Sequence, residues 1–494
     1  MSATDIPIAA ELADNLRAVN EAFAACHDIV VHPYRYGNSL SHDMAVVYCE
    51  TLIRQPDVSI VKSVLLNLVR EMPGETEIAS VDRIAAFFER GGASYKPFEL
   101  LNGIGQAVRS VVEGRMVLLF DGWNKALGFD ALSIERRAVT EPSSEAVISG
   151  PREGTIEDLH TNIGLLRVRL STPEFKIEMY ETGTHTKQKF VLGYLQNVVQ
   201  PELLAELKRR VSVIDRTEAL DVTYIRELIE DAVYSPFPQY RITERPDVAV
   251  SSLLEGKIVI MMEGSGTILI CPIKFTELFQ SAEDYYQRTI ISTLVRWLRV
   301  IAFVIALTLP SLYIALSTFH PELIPSNLLL AMLDTREGIP FPAFVEAVLM
   351  QFFFELLREA GIRLPRPIGS SVSIVGALII GDAAISAGIA SPIMVVVVAL
   401  TGIASFSIPQ YEIAIALRIL SFPLMIMAFF LGGFGLMIGF ILILLHLTCL
   451  RSLGQPYLAP IAPLRPLQLF DVIVRAPLKE RFRLSKRRKF ARPD

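Results

Sequence analysis

Hydropathy changes character near Arg296. Before it, apolar runs of strand length alternate with polar, helix-periodic stretches; after it they lengthen to the roughly 20 residues that a helix needs to cross a bilayer. Ser371 to Ile408 is a run of 38 residues in which Asp382 is the only charged side chain, long enough for two crossings. Ala390-Ser391-Pro392, near its midpoint, marks the reversal, because proline lacks an amide donor and disfavours helix in the residue before it. Ile413 to Leu450 is a second 38-residue run, interrupted by Gly432-Gly433, with Arg418 inside it and His446 near its end. It predicts another hairpin. Trp297 to Phe319 predicts a first crossing kinked at Pro310. Ala343 to Leu357 is apolar but short and carries Glu346, Gln351 and Glu355, so it predicts either a buried crossing or an interfacial helix. The expected spans are therefore 297–319, 343–357, 371–389, 391–408, 413–431 and 433–450, five or six in number.

The first 290 residues repeat themselves. Val46 to Asp57 (VVYCETLIRQPD) matches Leu192 to Glu202 (LGYLQNVVQPE), an apolar strand followed by Gln-Pro-acid opening a helix. Val111 to Leu127 (VVEGRMVLLFDGWNKAL) matches Leu253 to Leu269 (LLEGKIVIMMEGSGTIL) at nearly the same offset. In each copy an acid-Gly pair, Asp121-Gly122 or Glu263-Gly264, predicts a hairpin turn, with glycine supplying the positive φ. Residues 11 to 32 read as a helix ahead of the first pattern. Ser149 to Gly154 (SGPREG) and the periodic stretch carrying Arg167 and Arg169 read as a connector between the copies. The fold class is an α/β soluble N-terminal half, built of two similar subdomains, followed by an all-α polytopic membrane domain. The expected boundaries are 1–139, 140–290 with the connector helix, 291–450 for the membrane domain, and 451–494 for a basic tail.

Composition sharpens this division. The mean hydropathy of +0.42 and net charge of −5 average over two unlike halves. The last 44 residues hold eleven basic side chains against three acidic ones, Arg288 lies upstream of the first span, and Arg296 and Arg299 lie at its first end. By the positive-inside rule both ends are cytoplasmic, and the tail is a topology signal rather than a nucleic-acid site. The N-terminus shows no basic segment followed by an apolar core, so no cleaved signal is expected. Cys26, Cys49, Cys271 and Cys449 have neither metal-ligand spacing nor a disulfide framework. GGAS, GIGQ and EGSGT are not phosphate-binding loops, the seven histidines form no ligand motif, and no GxSxG occurs, so neither a cofactor nor an enzyme is expected.

Ala377/Gly381, Ala383/Ala387 and Ala384/Gly388 recur at a spacing of four, the pattern that lets membrane helices approach closely. A charge at mid-depth costs about 2.5 to 3.5 kcal/mol on insertion scales and marks a functional site by default. Gly376, Gly381, Asp382, Ser386, Gly388 and Arg418 are therefore candidates for lining a pore or packing helices. Asp382 either pairs with Arg418 or faces a watery path.

Several passages together carry a resemblance: GPREG and TNIGLLRVRL, SPFPQYRITERPD (Ser235 to Asp247), EDYYQR, REGIPFPAFVEA, ELLREAGIRLPRPIG and SLGQPYLAPIAPL. Across most of its length the chain resembles the A subunit of GerA-type spore germinant receptors. The resemblance implies a multi-pass protein of the spore inner membrane that acts with a transporter-like B subunit and a lipoprotein C subunit. It also implies a homo-oligomer in membrane lipid, which couples the sensing of nutrients such as amino acids or sugars to ion release and germination and itself forms an ion path. The alternative is a channel or transporter-like relative acting with the dipicolinate-release machinery. Charged residues in these passages, Arg152, Glu153, Arg245, Glu346, Glu355 and Arg358, are candidates for coupling. Glu263-Gly264-Ser265-Gly266 replaces the family's acid-Gly-Pro turn, and Gly381-Asp382 stands where Gly-Gln is usual.

Overall fold

Why the first half forms two similar sheets follows from where its apolar strands fall, and a computed structural model shows the result. It describes residues 6–36, 42–53, 81–90, 97–133, 149–214, 217–364 and 379–465, with isolated residues 142, 145, 147, 376, 472, 474, 475 and 477. The chain divides into two units, Met1–Glu230 with Tyr240–Pro272, and Asp231–Gln239 with Ile273–Asp494.

The first unit holds two modules. One comprises α1 (Leu12–Ala22), β1 (Ile29–Tyr36), β2 (His42–Cys49), α2 (Val81–Glu89), β3 (Phe98–Leu101), α3 (Ile104–Val112), β4 (Arg115–Phe120) and β5 (Ala126–Asp130). The other comprises α4 (Leu159–Arg169), β6 (Phe175–Thr182), β7 (Gln188–Leu195), α5 (Pro201–Val211), α6 (Val222–Ile229), β8 (Arg241–Thr243), α7 (Pro246–Leu254), β9 (Ile258–Met262) and β10 (Ile268–Cys271). Their five-stranded antiparallel sheets have the same order, β1-β2-β4-β5-β3 and β6-β7-β9-β10-β8. β9 is buried along its whole length and β4 in all but its first residue, which is why they read as continuous apolar runs rather than alternating ones.

The hairpin glycines Gly122 and Gly264 have φ of 84° and 80°, as their turns require. The acid beside each reaches the first helix of its own module: Asp121 Oδ1 accepts from Leu12 N at 2.9 Å, and Glu263 Oε2 from Leu159 N at 3.2 Å. A buried asparagine in each first helix clamps the chain six residues upstream. Asn15 Oδ1 accepts from Ala9 N at 2.8 Å and its amide donates to Ala9 O at 2.7 Å, while Asn162 Oδ1 accepts from Ile156 N at 2.9 Å and its amide donates to Ile156 O at 2.5 Å. The repeat thus begins earlier than the strand patterns suggest. Two readings change as a result. The stretch expected to be a connector is α4, the opening helix of the second module, with Leu159, Ile163, Leu165, Leu166 and Arg167 buried. The helix expected over 11–32 ends at Ala22, because Ile29-Val30-Val31 enters β1.

The second unit contains α8 (Thr289–Thr318), α9 (Ser326–Arg336), α10 (Ala343–Arg363), a helical stretch at 379–386, α11 (Pro392–Phe406) and α12 (Tyr411–Cys449), followed by the small β11 (Arg451–Ser452) and β12 (Gln455–Pro456) ladder. Among the described residues, α8 and α12 are long and apolar enough to cross a membrane, with mean hydropathies of 2.2 and 2.5. α8 starts well before the expected Trp297, and α10 runs six residues past the expected Leu357 to Arg363. Ser391 caps α11 by accepting from Met394 N, with Pro392 as its first residue. Within α12 the backbone reverses at Gly432 (φ 59°, ψ −138°), a conformation closed to ordinary L-residues. A β-carbon on Gly439 would collide with Leu424, and one on Gly435 with the Met427 carbonyl. Fifteen residues of straight helix would span about 22 Å, so these contacts require a tight hairpin.

Asp231–Gln239 packs against the end of this unit. Ser452 Oγ donates to Gln239 O at 2.6 Å, Tyr457 Oη donates to Pro238 O at 2.6 Å, and Ser235 Oγ lies 2.8 Å from His446 Nε2. Two motif passages more than 200 residues apart thereby form one structural element.

Candidate functional site

Of the six pore or packing candidates, five fall on the helix and turn before α11. Gly376 is described in isolation, and a β-carbon there would press on Leu357 of α10 at 2.7 Å. Ala384 is buried and belongs to the unit's core, while Gly388 adopts φ 63° where the chain turns. Ile379, Asp382, Ala383, Ile385, Ser386 and Ala387 are exposed together. Spacings of three and four residues put Ile379, Asp382, Ala383, Ser386 and Ala387 on one helix face. Asp382 has no hydrogen bond or ion pair among the described residues.

Arg418 is not its partner. Of the two alternatives for Asp382, the pair with Arg418 is not formed among the described residues, and Arg418 instead joins a cluster on α10 and α12. Arg418 Nη1 lies 3.5 Å from Glu355 Oε2, which Arg358 Nη2 approaches at 3.1 Å, and both guanidinium carbons sit about 6 Å from the Tyr411 ring centroid, at 6.0 and 5.9 Å. The reason is geometric: opposite signs do not pair unless the helix faces carrying them meet.

Glu346 has no exposed surface and ties three segments together. Its Oε2 accepts from Ser391 N at 3.0 Å, and its Oε1 lies 3.1 Å from Arg336 Nη2. This supplies an acceptor to an amide at the start of α11 that has no partner within the helix. At the start of α8, Asp284 accepts from Arg296 Nε at 3.0 Å and from Arg299 Nη1 at 2.8 and 2.9 Å. Arginines read from sequence as topology signals are thus also buried and ion-paired.

The remaining coupling candidates lie in the first unit. Arg245 is buried and forks onto Asp247 at 3.1 and 2.9 Å while donating to Pro151 O at 3.0 Å. Glu153 accepts from Arg169 at 2.7 Å, and Arg152 is exposed. Arg245 therefore holds the GPREG loop against the ERPD turn.

Sequence reasoning missed the pair that joins the two modules. Arg167 on α4 donates to both oxygens of Asp28, Nε at 2.7 Å and Nη2 at 2.8 Å, and its guanidinium stacks on Phe175 at 4.8 Å. Both side chains are at least 98% buried. Cys49 Sγ lies 3.5 Å from Asp28, and burial pushes its thiol up to about 12. The backbone adds further ties, His27 N to Ile177 O and Ile177 N to Ala25 O, each 3.0 Å. The one available signal was an arginine within a helical apolar period.

Comparison with known proteins follows from this architecture. The family model for the Bacillus/Clostridium GerA spore germination protein matches residues 17–488. An uncharacterized membrane protein of Bacillus subtilis, YfkQ, is 40% identical over 96% of this chain and 90% of its own length. Spore germination protein KA of the same organism is 38% identical over 95% and 85%, and spore germination protein GerLA of Bacillus cereus 36% identical over 91% and 89%. The crystal structure of the N-terminal domain of the A subunit of the Bacillus megaterium spore germinant receptor GerK3 matches 55% of this chain and 97% of its own, at 23% identity and a TM-score of 0.42. The chain belongs to the GerA family of spore germination proteins.

Proposed function

We propose that this chain is a non-enzymatic, membrane-embedded A-type subunit of a germinant receptor, coupling nutrient sensing to ion release in the spore inner membrane. Transporter-like B and lipoprotein C subunits are its partners, and its terminal regions are cytoplasmic. Family membership supports a role in germination. The oligomeric ion path rests on one observation, the exposed face of Asp382, Ala383, Ser386 and Ala387 within an apolar run.

Ile379 and Ile385 are exposed on the same helix, but an unpaired Asp at mid-depth costs about 2.5 to 3.5 kcal/mol in lipid. Small residues at this spacing suit a second helix. Copies assembled around this face would turn Asp382 toward water, where a ring of carboxylates favours cations. Among the described residues, buried charges on the neighbouring helices lie, by contrast, within 4 Å of an opposite charge: Arg296 and Arg299 with Asp284, Glu346 with Arg336, and Arg418 with Glu355.

Ion flux through the purified protein in liposomes, wild type beside Asp382→Asn and with and without its partner subunits, tests the reading. Cation flux that falls several-fold in the variant is expected. No flux from folded, oligomeric protein under any of these conditions would move conduction to another subunit.

A further inference from the structure

The α10–α12 cluster contains more hydrogen-bonding capacity than it uses. Arg418 is 94% buried, yet neither of its terminal nitrogens has a hydrogen-bond acceptor among the described residues. Its Nε donates to Ala414 O in its own helix at 2.9 Å, and its nearest carboxylate oxygen, on Glu355, is 3.5 Å away and shared with Arg358. Among the described residues, Arg358 Nε is likewise buried without an acceptor, and two acceptors, Glu355 Oε1 and Gln351 Oε1, are buried without donors. Gln351, Glu355 and Arg358 follow one another along α10 at spacings of four and three, so they share a face.

Two guanidinium groups against one carboxylate leave one net positive charge. Leaving such a charge buried and unsatisfied costs several kcal/mol, far more than native folds usually tolerate at a single site. The cluster lies about 12 Å from the C-terminal end of α10 and about 10 Å from the N-terminal end of α12, counted at 1.5 Å per residue. In a hydrocarbon layer about 30 Å thick, that depth is within reach of a headgroup drawn inward.

We infer that Arg418 and Arg358 bind a phosphate ester, with Glu355 and Gln351 receiving hydroxyl or ammonium donors from the same molecule. Arginine's planar fork suits phosphate oxygens, and a basic recess between membrane helices suits an anionic lipid headgroup. This rests on the reading of the second unit as membrane-embedded, and not on receptor function.

The full chain would be reconstituted in phosphatidylcholine vesicles, with or without phosphatidylglycerol, and checked for membrane insertion by flotation. Lipid phosphorus retained after detergent washing, and the melting temperature with and without inorganic phosphate, would then be read for wild type, Arg418→Gln, Arg358→Gln and Arg363→Gln. Retained phosphatidylglycerol that drops about tenfold in Arg418→Gln and in Arg358→Gln, but not in the exposed control Arg363→Gln, supports a lipid headgroup; tenfold corresponds to the loss of about one charge-assisted hydrogen bond. Stabilisation by inorganic phosphate in phosphatidylcholine alone, lost in the same two variants, identifies free phosphate as the occupant. Protein that floats with vesicles but retains no lipid phosphorus of either kind and gains nothing from phosphate overturns the site and leaves the membrane reading standing. Failure to float overturns both.

Discussion

The two α/β modules share a topology, an acid-Gly hairpin and an asparagine clamp, yet they differ at the surface where they meet. In the second module, Gly164 brings the α4 backbone against Thr51 of the first, and a β-carbon there would lie 2.6 Å from the Thr51 carbonyl oxygen. The position matching Gly164 in α1, aligned on the two asparagines, is Arg17, which is exposed. Arg167 likewise corresponds to Asn20. What the modules share builds a fold, and what they do not share builds one interface.

The largest effect should come from breaking that interface. Arg167→Leu leaves Asp28 buried without its partner and should destabilise the first unit by about 3–5 kcal/mol. Thermal unfolding of the full chain, with hydrogen exchange at β6 and α4, would show it, and the double variant Arg167→Leu with Asp28→Leu should recover much of the loss. If the single change is silent, the pair does not hold the modules together.

The shared features predict a smaller, symmetric effect. Asn15→Ala and Asn162→Ala each strand a backbone donor and acceptor and should each cost about 1–3 kcal/mol. Unequal losses would mean that the second clamp draws stability from the interface as well as from its own module.

The smallest effect sharpens a difference at the strand turns. At the turn between β6 and β7, Glu218 from the stretch between α5 and α6 accepts from the Thr186 hydroxyl at 2.6 Å, the His185 amide at 3.0 Å and the Thr184 hydroxyl and amide at 3.0 Å, and these bonds lower its carboxyl to about 2. The matching β1–β2 turn lies outside the described residues. Because the folded state favours the charged form, this contribution is complete above the ordinary carboxylate value of about 4.3 and is lost as pH falls toward 2. Glu218→Gln should flatten the pH dependence of the turn's amide protection in that window and leave it unchanged at neutral pH. A wild-type turn that stays protected at pH 2 would contradict the assignment.

Much of this architecture was legible in the residues. The doubled Glu-Gly, basic, strand, acid-Gly pattern marks two α/β modules, because turn glycines and buried central strands are local requirements that each copy must meet. The start of the repeat was not legible, since its signature is a single asparagine in each first helix. Asp382 stood out as a charge in an apolar run, but its exposure did not, because helical phase fixes which residues share a face and only packing decides which face stays open. Arg418 invited pairing with Asp382 by sign alone, whereas the structure gives it Glu355.

The amino-acid sequence alone determined the doubled strand-and-turn pattern of the first half, since burial of apolar side chains at a fixed period is a property of neighbours in the chain. Only the tertiary structure decided how the charges are partnered. Asp28 with Arg167, Glu346 with Arg336 and Ser391, and Arg418 with Glu355 are mostly distant in sequence. Electrostatic attraction falls with distance in space, which the spacing of residues along a chain does not specify.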